Sequence, residues 1–377
     1  MINKRILFIT VAAIIVSSIF IYAGHFSSVK KIENDEPPAP TIPEKRENTE
    51  AAVKYGHLTE TINGNPQEIN LLQIDVSKPG VKVMPMLSFD LVYGFENLSV
   101  MTSRKSAYAA VNGGFFHEYG LPSGMVVVDG HLITASTGRY PVFTVSGGKA
   151  SLGEIQSRLW LDYGGGRLRI DRLNSPVKDG EAAVFTPDYG GSNRADSENL
   201  TAVVRNGVVT GVGIYQGSVV IPEDGMLVTF IKHEYGNPDD LPIKKGDAVE
   251  LIHEPGLAPD LQAYECGNWL VKDSKPVVKE KDEWVGIMTN RDPRTAVGIK
   301  QDGTVVLFTV DGRQPGYSAG FTGKELAEYL IGLGIANAAM LDGGASTEMI
   351  VEGKMVNRPS FKGQERPLAG GLAVIAP

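Results

Sequence analysis

The sequence predicts an α+β fold: mixed β-sheets with few helices, in one large domain over residues 55–377 with a β-rich middle. Three observations predict it. Asn63-Gly64-Asn65, Asp129-Gly130 and Asp302-Gly303 each separate two apolar or β-branched runs, which is a hairpin signal. Between about Gly153 and Glu254 helical periodicity is nearly absent, and turns such as Asn206-Gly207 and Lys245-Gly246-Asp247 punctuate short strands. One strong helix signal stands in the last third. There Thr322 with Glu325 forms a capping box, Leu326, Leu330 and Leu333 share a face, and Gly334 stops the helix.

Taken in order, the chain opens with Lys4 and Arg5 before an uncharged run from Ile6 to Gly24, near the lower length limit for crossing a bilayer. Basic residues ahead of such a run place the rest of the chain on the outer side. Residues 1–26 are therefore expected to be a single-pass cell-membrane anchor with the C-terminal domain outside. The competing reading is a cleaved signal peptide and a secreted protein, against which no clean small-x-small site comes after the run. Residues 27–54, with Pro37, Pro38, Pro40 and Pro43, read as a charged extended tether. Strands are expected at 58–62, 67–76, 81–87, 107–111, 125–128, 131–134 and 142–145, with a short helix at 99–106. Later strands are expected at 269–271 and 275–278.

Composition narrows the partners. A formal charge of −8 argues against nucleic acid. One cysteine, Cys266, excludes an intrachain disulfide and reads as buried packing beside Trp269. The six histidines show no metal-ligand spacing, so neither metal nor cofactor is expected. His117, just after Asn112-Gly113-Gly114, is most simply a satisfied loop residue.

The chemistry gathers between Arg294 and Ser346. The hairpin of 295–300 and 304–310 brings its open ends together, so Arg294 is expected beside Asp311. The helix then returns the chain to a strand at 338–341, parallel to 304–310. Asp311 and Asp342 should thus leave the sheet at the same edge, joined there by Arg294 and Arg313.

Five motifs occur in one order: Asn112-Gly113-Gly114-Phe115-Phe116, Pro293-Arg294-Thr295-Ala296, Val310-Asp311-Gly312-Arg313, Leu341-Asp342-Gly343-Gly344 and Asn357-Arg358-Pro359-Ser360. In that order the chain resembles the phosphodiester glycosidase family over roughly Tyr55 to Pro377. Phe185-Thr186-Pro187 and the Ile221–Gly225 turn fit the same pattern. One departure is Ala345, where the family has a third glycine. The resemblance implies hydrolysis of a sugar-1-phosphodiester, of the N-acetylglucosamine-1-phosphodiester kind, at its anomeric bond. An outward-facing position would make envelope glycopolymers the substrate.

That reaction has an oxocarbenium-like transition state and an anionic phosphate leaving group. It calls for a carboxylate at the sugar and guanidinium donors at the phosphate. Asp342 is assigned as the primary carboxylate, Asp311 as its partner, Arg294 as the phosphate ligand and Arg313 as its support. The bland readings are a turn aspartate for Asp342, a turn or ion-pair residue for Asp311 and a solvated side chain for Arg313. Gly343, Gly344 and Ser346 could offer backbone N–H groups to an anion, or form a tight strand exit. Asn112, Gly113 and Gly114 could meet substrate hydroxyls or form a structural turn. Asn357 and Arg366 match family positions and are binding candidates, whereas Arg358 and Glu365 read as a surface pair. Two other functions compete: a non-catalytic surface module that binds glycan or protein, and a metal-dependent phosphodiesterase that cleaves the P–O bond.

Overall fold

The computed structural model describes residues 52–377. The expected anchor at 1–26 and most of the tether at 27–54 lie outside the described residues. At the tether's end, Ala52 and Val53 are buried and Val53 already opens a strand, ahead of the expected domain start at Tyr55 and the expected strand start at Leu58. No helix among the described residues is long and apolar enough to cross a membrane.

The described chain is mostly β, with two α-helices, Leu98–Arg104 and Gly323–Gly332, both where the sequence places them. A seven-stranded sheet has the order Val53–Ile62, Asn65–Ile74, Val305–Val310, Arg294–Lys300, Ile335–Met340, Trp269–Lys272 and Lys275–Pro276, and every pairing in it is antiparallel. The Asn63-Gly64 turn has positive φ at both residues, as the tight hairpin requires. The crossover reading holds with one change. Val305–Val310 and Ile335–Met340 do run parallel, but Arg294–Lys300 lies between them, antiparallel to both. Arg294 sits opposite Val310, and Ala296 opposite Met340, so the three strand ends that precede Asp311, precede Asp342 and carry Arg294 share one edge.

A second sheet runs Lys354–Met355, Met349–Val351, Ala109–Asn112, Gly370–Ile375 and Lys82–Leu87, again antiparallel throughout. The two sheets share one core. Leu72, Val297, Leu307 and Ala339 from the first meet Val83, Val111, Met349 and Leu372 from the second. Each sheet carries a helix on its other face. Leu326, Ala327 and Leu330 pack on Phe308, Val310 and Met340. Leu98 and Met101 pack on Met86, Ala110 and Ile350. The Gly323–Gly332 helix starts at the expected capping box, with the Thr322 hydroxyl accepting from Glu325 N–H and the Glu325 carboxylate accepting from Thr322 N–H.

The β-rich middle has its own core, built from Leu161, Val184, Ala202 and Phe230. It holds the single parallel pairing between described strands, Arg172–Leu173 with Ala182–Phe185. The sheets are therefore nearly all antiparallel rather than evenly mixed.

Phe308 is fully buried between Phe321 and Tyr329, with ring centroids 6.4 and 5.8 Å away. Phe308→Ala should cost about 3–5 kcal/mol through lost burial and the cavity left behind. Denaturant unfolding checks this, and a loss under about 1 kcal/mol would mean the helix is not fastened to the sheet through this ring.

Candidate active site

Asn112 builds the site. It ends the central strand of the second sheet and is fully buried. Its side-chain N–H donates to the Asp342 carbonyl at 2.6 Å. Its Oδ1 accepts from the Thr295 hydroxyl at 2.7 Å and from Glu348 N–H at 3.2 Å. Asp342 N–H in turn donates to the Gly113 carbonyl at 3.0 Å. One amide thus ties the second sheet to both the Arg294 strand and the Asp342 loop. Asn112 is committed to holding backbone, and the expectation that it meets substrate hydroxyls gives way to this role. Gly113 is required by space, because a Cβ there would collide with the Tyr264 hydroxyl.

Asp342 is half-buried at the tip of this arrangement. Its carboxylate accepts from its neighbour Gly343 N–H at 2.9 Å and from the Ser346 hydroxyl. Burial pushes its pKa upward, against these two donors and the nearby Arg366 charge. Gly343 N–H is therefore spent on Asp342, Gly344 N–H on the Pro293 carbonyl at 2.9 Å and Ser346 N–H on the Gly343 carbonyl at 3.1 Å. The anion nest expected of these three amides is closed by internal bonds, and the loop instead fixes the Asp342 carboxylate. Ala345 is half-buried in the short 3₁₀ turn at Gly344–Ser346.

Asp311 does reach the same sheet edge, but it is 1% exposed and saturated. It accepts from Asn357 Nδ2 at 2.8 Å, Arg358 N–H at 2.8 Å and the Tyr317 hydroxyl at 3.2 Å. Burial raises its pKa despite these donors. Its bonds fasten the 357–358 turn to the sheet, and Asn357 completes that link by accepting from Met349 N–H at 2.8 Å. Neither residue has a group to spare for a ligand.

Arg294 is 1% exposed and points into the core. Its Nε donates to the Phe321 carbonyl and its NH2 group to the Asn290 carbonyl, each at 3.0 Å, and NH1 reaches Met288 Sδ at 3.9 Å. Burial lowers its pKa, and the nearest carboxylate is Asp292 at 3.8 Å rather than Asp311. This guanidinium holds the 288–292 loop, and the sequence-based phosphate role does not match its surroundings.

Arg313 and Arg366 keep donors to give. Arg313 binds Asp292 through Nε at 2.7 Å, with half of its side chain exposed. Its two terminal nitrogens lie against Gly344, whose φ is +62° and where a Cβ would be 3.2 Å from one of them. The guanidinium of Arg366 has no protein hydrogen-bond partner among the described residues, and its charge acts on Asp342.

Glu348 is the residue that sequence reading missed. It is fully buried, Oε1 accepts from Arg366 N–H at 2.8 Å, and Oε2 has no partner. Burial pushes its pKa up to about 8. A carboxylate directly ahead of the apolar run Met349–Val351 was the signal available.

Residues 198–375 match the phosphodiester glycosidase family, and the chain resembles that family as its motifs suggest. The matched range contains Arg294, Asp311, Asp342, Glu348 and Arg366 but not Asn112. Over 115 residues the chain is 39% identical to the SPbeta prophage-derived uncharacterized protein YomE of Bacillus subtilis, covering 30% of this chain and 17% of that protein. Over 152 residues it is 37% identical to human N-acetylglucosamine-1-phosphodiester alpha-N-acetylglucosaminidase, covering 39% and 27% respectively. The chain thus spans less than a third of the length of these curated relatives. A hypothetical protein from Synechocystis shares the fold, with a TM-score of 0.74 at 21% identity over 87% of this chain and 62% of that one.

If Asp311 is a fastening group, Asp311→Asn turns one acceptor into a donor that faces other donors. Stability should fall by about 2–4 kcal/mol. Amide exchange should quicken at Arg358, whose N–H bonds the carboxylate. Unaltered exchange there would refute the fastening role.

Proposed function

We propose that this chain is a hydrolase of the phosphodiester glycosidase type, which cleaves the anomeric C–O bond of a sugar-1-phosphodiester. One observation carries the reading. A half-open carboxylate, Asp342, feels the charge of Arg366 and stands on a loop whose Gly344 lies against Arg313, and both guanidinium groups keep donors free. In this reading the phosphate lies on Arg366 and Arg313, and Asp342 faces the anomeric carbon or its attacking water. The bond to the bridging oxygen breaks with its electron pair moving onto phosphate. That leaving group is a weak base, so no strong acid is needed to protonate it, and hydrogen-bonded cations stabilise the charge it gains. The Asn112 clamp on the Asp342 carbonyl holds the loop that carries the carboxylate.

The sugar in this proposal is N-acetylglucosamine-like, as the name of the human relative suggests, and the substrate is an envelope glycopolymer met on the outer side of the membrane. The domain proposed to do this work is 55–377, together with the two residues before it that join its first strand. The N-terminal segment is proposed as its anchor or export signal.

The test is incubation of the full-length chain with UDP-N-acetylglucosamine and with an N-acetylglucosamine-1-phospho-alkyl diester. Free sugar plus an intact phosphomonoester is the expected result. A sugar phosphate would show P–O cleavage instead, and no product would favour a binding module. Asp342→Asn should lower kcat by roughly a hundredfold to ten-thousandfold, whereas Arg366→Ala should act through both KM and kcat. Near-full turnover by Asp342→Asn would remove this assignment.

A further inference from the structure

Glu348 follows Asp342 on the same loop, and one of its two carboxylate oxygens is buried without a partner. Asn112 bonds the backbone of both residues, and the Arg366 backbone N–H closes on the other Glu348 oxygen. We propose that Glu348 stays protonated in the working enzyme, and that its neutrality is what lets the Asp342 pocket accept an anionic diester; the inference rests on the glycosidase reading above.

An ionised Asp342 and a diester monoanion already place two negative charges at the site, answered by Arg366 and Arg313. A third anion would have to be the fully buried Glu348 carboxylate, and no salt bridge reaches it among the described residues. The charged groups around it do not supply one. Glu365 adds repulsion and is turned onto Ser99, whose N–H and hydroxyl each donate to it at 2.7 Å. The Arg366 charge favours ionisation but ranks last among the influences on Glu348, behind burial. Asp342, earlier on the same loop, supplies no positive charge, and Asp311 has all its bonds made, one of them to Asn357. Arg313 lies over Gly344 and binds Asp292.

A buried, unpaired carboxylate is costly, and such a group keeps its proton instead. Glu348 takes no part in bond making here. Water still gives its proton to Asp342, and the electron pair still leaves on phosphate. Glu348 is a positioning residue that acts through the charge of the pocket.

The test is the pH profile of kcat/KM on the alkyl diester for the full-length protein, for Glu348→Gln and for Glu348→Asp. With a pKa of about 8, wild type should lose about tenfold between pH 7 and pH 9. Glu348→Gln, which cannot ionise, should lack that alkaline limb, and Glu348→Asp should keep one. The same alkaline limb in wild type and Glu348→Gln would overturn the inference while leaving the glycosidase reading intact.

If wild type releases no sugar from any diester, that reading fails instead, and the proton is then read without catalysis. A carboxyl whose pKa is raised on folding adds no penalty while both states hold the proton. Stability is lost as pH rises from the unfolded value, near 4.5, through about 8. The difference in urea midpoint between Glu348→Gln and wild type should therefore widen across that window. A constant difference would overturn the buried proton. Should Glu348→Gln not fold, Glu348→Met, also unable to ionise, replaces it in both measurements.

Discussion

The Asn112 side chain is the point on which the two sheets depend. A primary amide can donate and accept at once, and this one does both across a sheet boundary, to the Asp342 carbonyl and from the Thr295 hydroxyl and Glu348 N–H. The site stands where strand ends of two antiparallel sheets meet, at backbone groups that neither sheet's ladder can satisfy. Left unpaired and buried, each such group costs about 1–3 kcal/mol. Asn112 satisfies two of them, the Asp342 carbonyl and the Glu348 N–H, pairs with the Thr295 hydroxyl as well, and in doing so sets the position of the loop that carries the Asp342 carboxylate. Apolar packing brings the sheets together through Val111, Val297 and Leu372. The amide then fixes their register at the edge where the chemistry is proposed.

Counting bonds separates scaffold from chemistry among the charged residues. Arg294 and Asp311 are the most deeply buried of the four charges first expected to converge, and both have given their bonds to loops. Asp292 answers both arginines, lying 3.8 Å from Arg294 and 2.7 Å from Arg313. It is thus part of the frame that aims Arg313. Asp342, Arg313 and Arg366 differ in that each keeps capacity toward solvent. A site for an anionic ligand is best built from such groups, because donors already satisfied by protein gain little from binding a phosphate.

Much of this was legible from sequence, for identifiable reasons. The helix at Gly323–Gly332 comes from a capping box and a 3.6-residue apolar period, and the hairpins come from Asn-Gly and Asp-Gly turns, all local signals. Convergence of Asp311 and Asp342 at one edge comes from connectivity alone. The pattern of bonds across 200 residues was not legible. Nothing near Asn112 in sequence reveals that it faces Asp342 and Thr295. Nothing near Arg294 reveals that Phe321, Asn290 and Met288 surround its guanidinium. Glu348 escaped for the same reason: it reads as the polar residue before a strand, and its bonds to Asn112 and Arg366 are set by the fold and by no local pattern. The insertion of the 294–300 strand between two parallel neighbours is likewise a tertiary choice that periodicity does not encode.

The most direct measurement is a crystal structure of the full-length chain with a non-hydrolysable sugar-1-phosphonate. The expected result is a phosphonate held by the Arg366 and Arg313 guanidinium groups, with the anomeric carbon within about 3.5 Å of an Asp342 carboxylate oxygen or of a water bound to it. A ligand seated away from Asp342, or a phosphonate drawing Arg294 out of its carbonyl cage, would contradict the account.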